Sequence, residues 1–393
     1  MLNRRSLRIK AMQSLYAVQK CEEADYELAK SFIEDYFAPD LNSMEVQNKE
    51  QLSSNAKVAK TIFKNNYQHN HIKEETDSSP EIRKAVSQAI DYYQNMVKKD
   101  HVFIKKNMVD AVDTLLENYY LIIKLTTEFA ELAKEEIELR KKRMAETGKQ
   151  VFESELNLYK NQAIQIFKEN EDLHREYVRH GTSWEDEKVN VRQWYRDILR
   201  KEDFYQEYLM KNHPTFEEDV AVIDQIIKQV VFKNETLAKY MEEKDLYWAE
   251  NKSALKSMLK KTLKSLKEGS EHVELIELSA NWEDDSDFFK KLFDLTLENN
   301  EEYEELVSKY TKNWATERIA SIDMIILKMA VCEMMNFSSI PVKVSINEYI
   351  DLSKNYSTQK SKIFVNGMLD KISEELESQG KIRKSGRGLI DNK

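Results

Sequence analysis

Three arginines open the chain: Arg4, Arg5 and Arg8, with Lys10 close behind. Arg4 and Arg8 stand one helical turn apart. Arg5, Arg8, Met12 and Tyr16 fall near one face of a helix. A guanidinium fork bonds two oxygens at once, which suits it to phosphate. A tyrosine beside it can stack on an unpaired base. The plain alternative is a basic first turn bathed in solvent. A second constellation runs from Ser357 to Gly367. Its Ser361, Lys362, Phe364 and Asn366 combine a polar loop, a cation, an aromatic ring and an amide at a helix start, where backbone N–H groups attract phosphate. Phe364 could equally be core. Gly367 inside a helix costs about 1 kcal/mol relative to alanine, which points to close approach of another backbone or a ligand. Glu333 is the third candidate. It lies near a helix C-terminus, where a carboxylate opposes the dipole. An Arg or Lys of a partner, or a capping residue within the bundle, would explain it.

Catalytic signatures do not occur. No GxGxxG, Walker A, HExxH or GxSxG string is present. His69 and His71 are neighbours without a second pair, so no metal is expected. Cys21 and Cys332 cannot make a disulfide framework. No cofactor is indicated, and the chain reads as a non-enzyme.

The elements that must position these residues are helices. Among 393 residues there are 7 Gly and 4 Pro, too few for the turns of a sheet protein. The net charge of −10 is uneven: residues 1–20 carry +5, 381–393 carry +4, and 21–380 carry −19. Basic ends on an acidic body point to a polyanion, or simply to solvated tails. No run of 18 apolar residues and no signal-peptide core occur, so no membrane partner and a cytoplasmic location are expected.

Apolar spacing predicts helices over 5–18 and 24–37, the second ended by Pro39. Residues 38–80 read as a polar connection with one short helix at 55–66. One or two long helices fill 81–145. Their charged end, Glu135 to Lys142, reads as a solvated face or a coiled-coil arm. Helical segments continue to 280, punctuated by Gly181-Thr182-Ser183 and Pro214. The last third predicts helices at 285–298, 300–310, 315–336, one opened by Pro341, and one at 361–377. A shift of 66 residues matches Asp219 to Asp285, Asn234-Glu235 to Asn300-Glu301, and Trp248-Ala249 to Trp314-Ala315. This weak internal similarity is either a repeated helical unit or chance among Lys/Glu-rich helices.

The strings Arg4-Arg5-Ser6-Leu7-Arg8 and Ala11-Met12-Gln13-Ser14-Leu15-Tyr16 resemble the opening of the NusB family. So do Glu317-Arg318-Ile319, Asp323, Met329 to Met334, Ile340-Pro341, Ile346-Asn347-Glu348, Leu352-Ser353-Lys354 and Phe364 to Asp370. They fall in family order. The resemblance covers about 1–37 and 285–377. It implies an all-α, NusB-like helical bundle split by a long α-helical insertion. The expected parts are 1–37, the first helices; 38–80, the connection; 81–280, an insert of open role; 281–378, the rest of the bundle; and 379–393, a basic tail.

The resemblance also implies a transcription antitermination factor. Its RNA would be boxA-type and single-stranded. Its protein partner would be the small-subunit ribosomal protein acting as NusE, and RNA polymerase would be reached indirectly, above all in ribosomal RNA operons. Arg4, Arg5 and Arg8 would contact RNA, with Lys10 and Tyr16 nearby. Ser361, Lys362, Phe364 and Asn366 would form the second RNA-contacting segment. Glu333 would face NusE. A different class of function is a helical interaction scaffold in ribosomal RNA transcription or ribosome assembly, with the insert as the working part.

Overall fold

The computed structural model describes residues 2–42, 46–69, 78–144, 153–270, 272–310, 320–358 and 360–390. Every regular element among them is helical. His71, Trp314-Ala315, Glu317-Arg318-Ile319 and Gln359 lie outside the described residues.

The chain begins with one helix where two were expected. α1 (Arg4–Tyr36) runs without a break. Gln19 to Glu23 contains no glycine or proline, and Lys20 pairs with Glu23 across the join. The polar connection holds a longer helix than its composition suggested, α2 (Lys49–Asn66). Its start is fixed by Asn48, whose side chain accepts from the Gln51 N–H. α3 (Pro80–Met144) is a single helix of 65 residues. Short helices follow: α4 (Asn157–Lys160), α5 (Gln162–Glu169), α6 (Glu171–Arg179), α7 (Lys188–Asp197) and α8 (Asp203–Leu209). α9 (Phe216–Gln225) starts with a capping box from Thr215 and Glu218 and continues as a π-turn over Ile226–Val231. α10 (Glu235–Lys244) and α11 (Trp248–Ser265) complete the middle of the chain. The last third has α12 (Trp282–Glu298), α13 (Asn300–Tyr310), α14 (Ser321–Asn336), α15 (Val342–Tyr356) and α16 (Ser361–Ser378).

The chain divides into two compact units. One contains Arg4–Val109 and Glu283–Lys393, the two ends of the sequence. Its centre is α14, whose residues from Ile325 to Met334 are nearly all buried. A helix that is apolar on all sides belongs in the middle of a bundle. The first half of α1 packs on α14, and its Leu7, Ala11 and Leu15 are buried. The second half turns to a different cluster. Ala29, Ile33 and Phe37 pack with Phe63 of α2 and with Val86 and Ile90 of α3. Residues 81–109, which the sequence placed with the insert, therefore pack with the chain ends. Their apolar stripe has its partners there.

The basic tail also belongs to this unit. Lys384 Nζ donates to the Phe337 carbonyl at 3.0 Å, and the Ser385 N–H donates to the Ser338 carbonyl at 3.0 Å. Gly388 lies so close that an added Cβ would sit 2.0 Å from the Ser338 oxygen. Burial lowers the Lys384 pKa to about 8, with Glu333 pulling the other way.

The other unit contains Met1–Asn3 and Asp110–Trp282. Its aromatic core includes Phe232 stacked on Trp248 and Trp184 edge-on to Trp194. The charged end of α3 is not a free arm. Arg192 pairs with Glu135, Arg200 with Glu136 and Arg140 with Glu155.

The 66-residue shift is visible in the helix bounds. Moved by 66, the α9–π-turn run falls on α12 and α10 falls on α13. The buried faces coincide as well: Ile223 with Phe289, Ile226 with Leu292, Leu237 with Tyr303, and Met241 with Val307. The same two-helix pattern occurs twice in the chain.

Candidate nucleic-acid interface

The opening arginines are brought against α12, α14 and α15, and each meets an acid. Arg4 Nε bonds Asp285 Oδ1 at 2.9 Å, and its guanidinium lies 4.9 Å from the Phe288 ring centre. Arg5 grips Glu348 with two bonds of 2.9 Å, and its Nη2 also lies 2.9 Å from Asp351 Oδ2. Arg8 makes the innermost contact. Its Nε and Nη2 bond the two oxygens of Glu333 at 2.8 and 2.7 Å. Glu333 also accepts from Ser345 Oγ at 2.7 Å and from Tyr349 OH at 3.0 Å. The Phe288 ring supports Arg8 from one side at 5.1 Å, and the Tyr349 ring lies at 5.8 Å.

Two expectations are corrected by this geometry. Glu333 is 0% exposed, so it faces no partner protein; its basic group is Arg8 of the same chain. Arg8 is 2% exposed and has both ends of its fork occupied, so it is a positioning residue and not a phosphate contact. Burial opposes the Arg8 charge, but the Glu333 carboxylate and its hydrogen bonds outweigh it and raise the pKa. Burial, reinforced by Glu333, raises the Tyr349 phenol well above its usual value, so it stays protonated as a donor. Hydrogen bonds from Arg5 hold Glu348 below the usual carboxylate range against a burial cost.

Lys10 and Ser361 need the same correction. Lys10 is 4% exposed. Ser361 is 5% exposed, and its hydroxyl is shared with Ser357 and Thr358 at 2.9 and 2.8 Å. Ser361 fixes the loop before α16 and presents no oxygen outward. Arg4 and Arg5 keep 38% and 43% of their side chains exposed. Tyr16 is exposed, with Lys20 Nζ 5.5 Å from its ring centre. Lys362 and Asn366 are exposed on the first turns of α16, and Phe364 is half-buried. Of the two readings of Gly367, a ligand stays open and close approach of another backbone is not found: a Cβ there meets nothing within 4 Å. Among the described residues, no backbone requires that glycine.

Of the acids that order the arginines, Glu333 was picked out from sequence, whereas Asp285, Glu348 and Asp351 were not. Asp285 carried a signal, as one end of the 66-residue match, and Glu348 lay in the Ile346-Asn347-Glu348 string. Asp351 and Phe288 carried none.

The family model described as the NusB family matches residues 251–374. That span begins in α11 and ends in α16, and it contains Glu333 and Glu348. The transcription antitermination protein NusB of Bacillus subtilis (strain 168) is 39% identical over 104 residues, which are 26% of this chain and 79% of that protein. The chain belongs to the NusB family. Its relatives of the same name include that of Salinibacter ruber (strain DSM 13855 / M31), 46% identical over 104 residues. Another is that of Chloroherpeton thalassium (strain ATCC 35110 / GB-78), 42% identical over 105 residues. These matches cover 26% and 27% of this chain and 65% and 50% of the two relatives, less than two thirds of either. No solved structure matches the chain. The arginine-rich start lies outside the span matched by the family model. The Arg5–Glu348 and Arg8–Glu333 bonds tie it into that span.

Proposed function

We propose that this chain is a transcription antitermination factor that binds single-stranded RNA of the boxA type. Its RNA face would be made by Arg4, Arg5 and Tyr16 on α1 and by Lys362, Phe364 and Asn366 on α16. The observation that carries the reading is the buried Arg8–Glu333 clamp. It joins residues 325 positions apart and holds the arginine-rich start on helices of the matched span. Arg5 Nη1 takes no part in the bonds to Glu348 and Asp351, which leaves a donor edge for phosphate. The names of the relatives support the antitermination role. The family resemblance supplies the finer reading: the small-subunit ribosomal protein NusE as co-binder, and read-through of ribosomal RNA operons by RNA polymerase. No described helix is long and apolar enough to cross a membrane.

The test is an anisotropy titration of boxA RNA with Arg5→Gln combined with Lys362→Gln. Affinity falls at least tenfold, and the slope of log K against log salt shrinks by about 1.4, two phosphate contacts on a single strand. A thermal unfolding curve like that of the parent confirms an intact fold. Unchanged affinity and slope reject the face.

A further inference from the structure

The most basic stretch of the chain is at neither end. Residues 251–267 hold six lysines and no acid, inside a body whose overall charge is strongly negative. Most of this stretch is α11, in the 110–282 unit. Elsewhere the helices of this chain interleave their lysines with acids: Lys20 with Glu23, Lys30 with Glu27, Lys188 with Glu185. On α11 the outward positions are Lys256, Lys260, Lys261 and Lys264. Among the described residues, Lys233, Lys256, Lys260, Lys264 and Lys267 take part in no ion pair.

Lys233, Lys256 and Lys260 border a groove of about 370 Å³ between α11 and the α9–π-turn run. Lys228 and Lys233 stand on one wall, Lys256 and Lys260 on the other, and Ile227 and Leu259 lie in the floor. Lys228 pairs with Asp224, the acid on the rim. Lys256 Nζ is held 5.1 Å from the Phe232 ring, which is itself stacked on Trp248. The π-turn beside the groove is a rare distortion that concentrates at functional sites. Like charges facing across a groove repel each other, and no acid of the described residues answers Lys233 or Lys260.

We infer that this groove is a second nucleic-acid site, which takes the phosphodiester backbone of single-stranded RNA without reading its sequence. The inference stands on this unit alone and does not depend on the arginine face. Lys256 and Lys260 line the groove four residues apart, about 6 Å along the helix, and Lys264 continues the row outside it. That rise matches a strand that presents one phosphate per nucleotide. Lysine is a point charge without a planar fork, so it grips phosphate with little directional demand. The aliphatic floor gives base faces a dry contact that discriminates weakly. A membrane is a poorer occupant: the apolar face of α11 is already buried, and no large apolar side chain of α11 is exposed.

The test uses the full chain and a fluorescent oligouridine that lacks any boxA sequence. Lys233→Glu, Lys256→Glu and Lys260→Glu together weaken binding at least tenfold at low salt. They also reduce the salt slope by about 2, three contacts on a single strand. The control reverses three exposed lysines elsewhere, Lys98, Lys106 and Lys99. The matching Lys→Arg triple keeps the affinity, which guards against a folding defect in the reversal. Equal losses in groove and control variants would mean net charge alone, and would overturn the site. So would loss on Arg5→Gln with no loss on the groove triple. Displacement of oligouridine by polyglutamate at equal charge would reassign the groove to an acidic protein.

Discussion

The start of α1 and the outward side of α11 are both dense basic patches on amphipathic helices, and they dispose of their charge in opposite ways. Arg4, Arg5 and Arg8 each meet a carboxylate supplied by a distant part of the chain. The lysines of α11 that line the groove meet none among the described residues. A count of charges along the sequence ranks the two patches alike. What separates them is the acids on the neighbouring helices. Paired arginines fix geometry, because a fork bound at both ends cannot swing. Unpaired lysines fix nothing in the fold and remain available to a polyanion.

The sharpest way to break the comparison is to remove one charge from each patch. Glu333→Ala leaves Arg8 buried without its partner, and costs about 3–5 kcal/mol. Chemical denaturation of the full chain reads this as a lowered first transition, assigned to the unit that holds α14. Lys260→Ala removes a charge that bonds nothing and leaves the denaturation curve near that of the parent. If the two substitutions cost the same, the distinction between a structural and a functional basic patch fails.

A smaller effect comes from pH. Glu348 is held below its ordinary pKa of 4.5 by Arg5, so its contribution to stability is complete above that value. It is lost as pH falls through the lower folded value, because the unfolded chain takes up the proton first. Glu348→Gln removes the titrating group and flattens the acid limb of stability against pH, measured by urea midpoints between about pH 3 and pH 6. The same measurement on the Lys→Arg groove triple shows the parent's acid limb, since no carboxylate is paired there with Lys233, Lys256 or Lys260. An unchanged acid limb in Glu348→Gln would show that the Arg5 pair is too solvated to matter.

The helical class and most of the last third could be read directly from residue types. Few glycines left no route to a sheet, and 300–310 and 361–377 were found within a residue of their bounds because apolar spacing and flanking polar loops agree. The continuity of α1 could not be read, because two stripes with different partners look like two helices. Ala29 and Ile33 turn to α2 and α3, while the first half of α1, with Leu7 and Ala11 buried, packs on α14. The site was legible as residue types and not as roles. The string that contains Arg5 and Arg8 reads the same whether an arginine faces solvent or a buried glutamate. Glu333 near the C-terminus of its helix, against the dipole, showed only that some partner was needed, and did not say that it is Arg8. The α11 lysines were missed for a different reason. Summing 21–380 to a single negative number averaged away a run of 17 residues.

Gly367 offers the finest discrimination between the two patches. It sits in the body of α16, exposed, with open space where a Cβ would go. Nothing among the described residues forbids alanine there, so Gly367→Ala stabilises the helix by about 1 kcal/mol. A thermal melt checks that gain. The glycine then has a reason only if something outside the chain approaches its backbone. If boxA RNA passes over the start of α16, next to Lys362 and Asn366, the added methyl group crowds it. The variant then binds boxA more weakly although it is more stable. Oligouridine held by the α11 groove is indifferent to the change. A variant that is more stable and binds both RNAs as before would place the RNA path of the arginine face away from α16, on α1 alone.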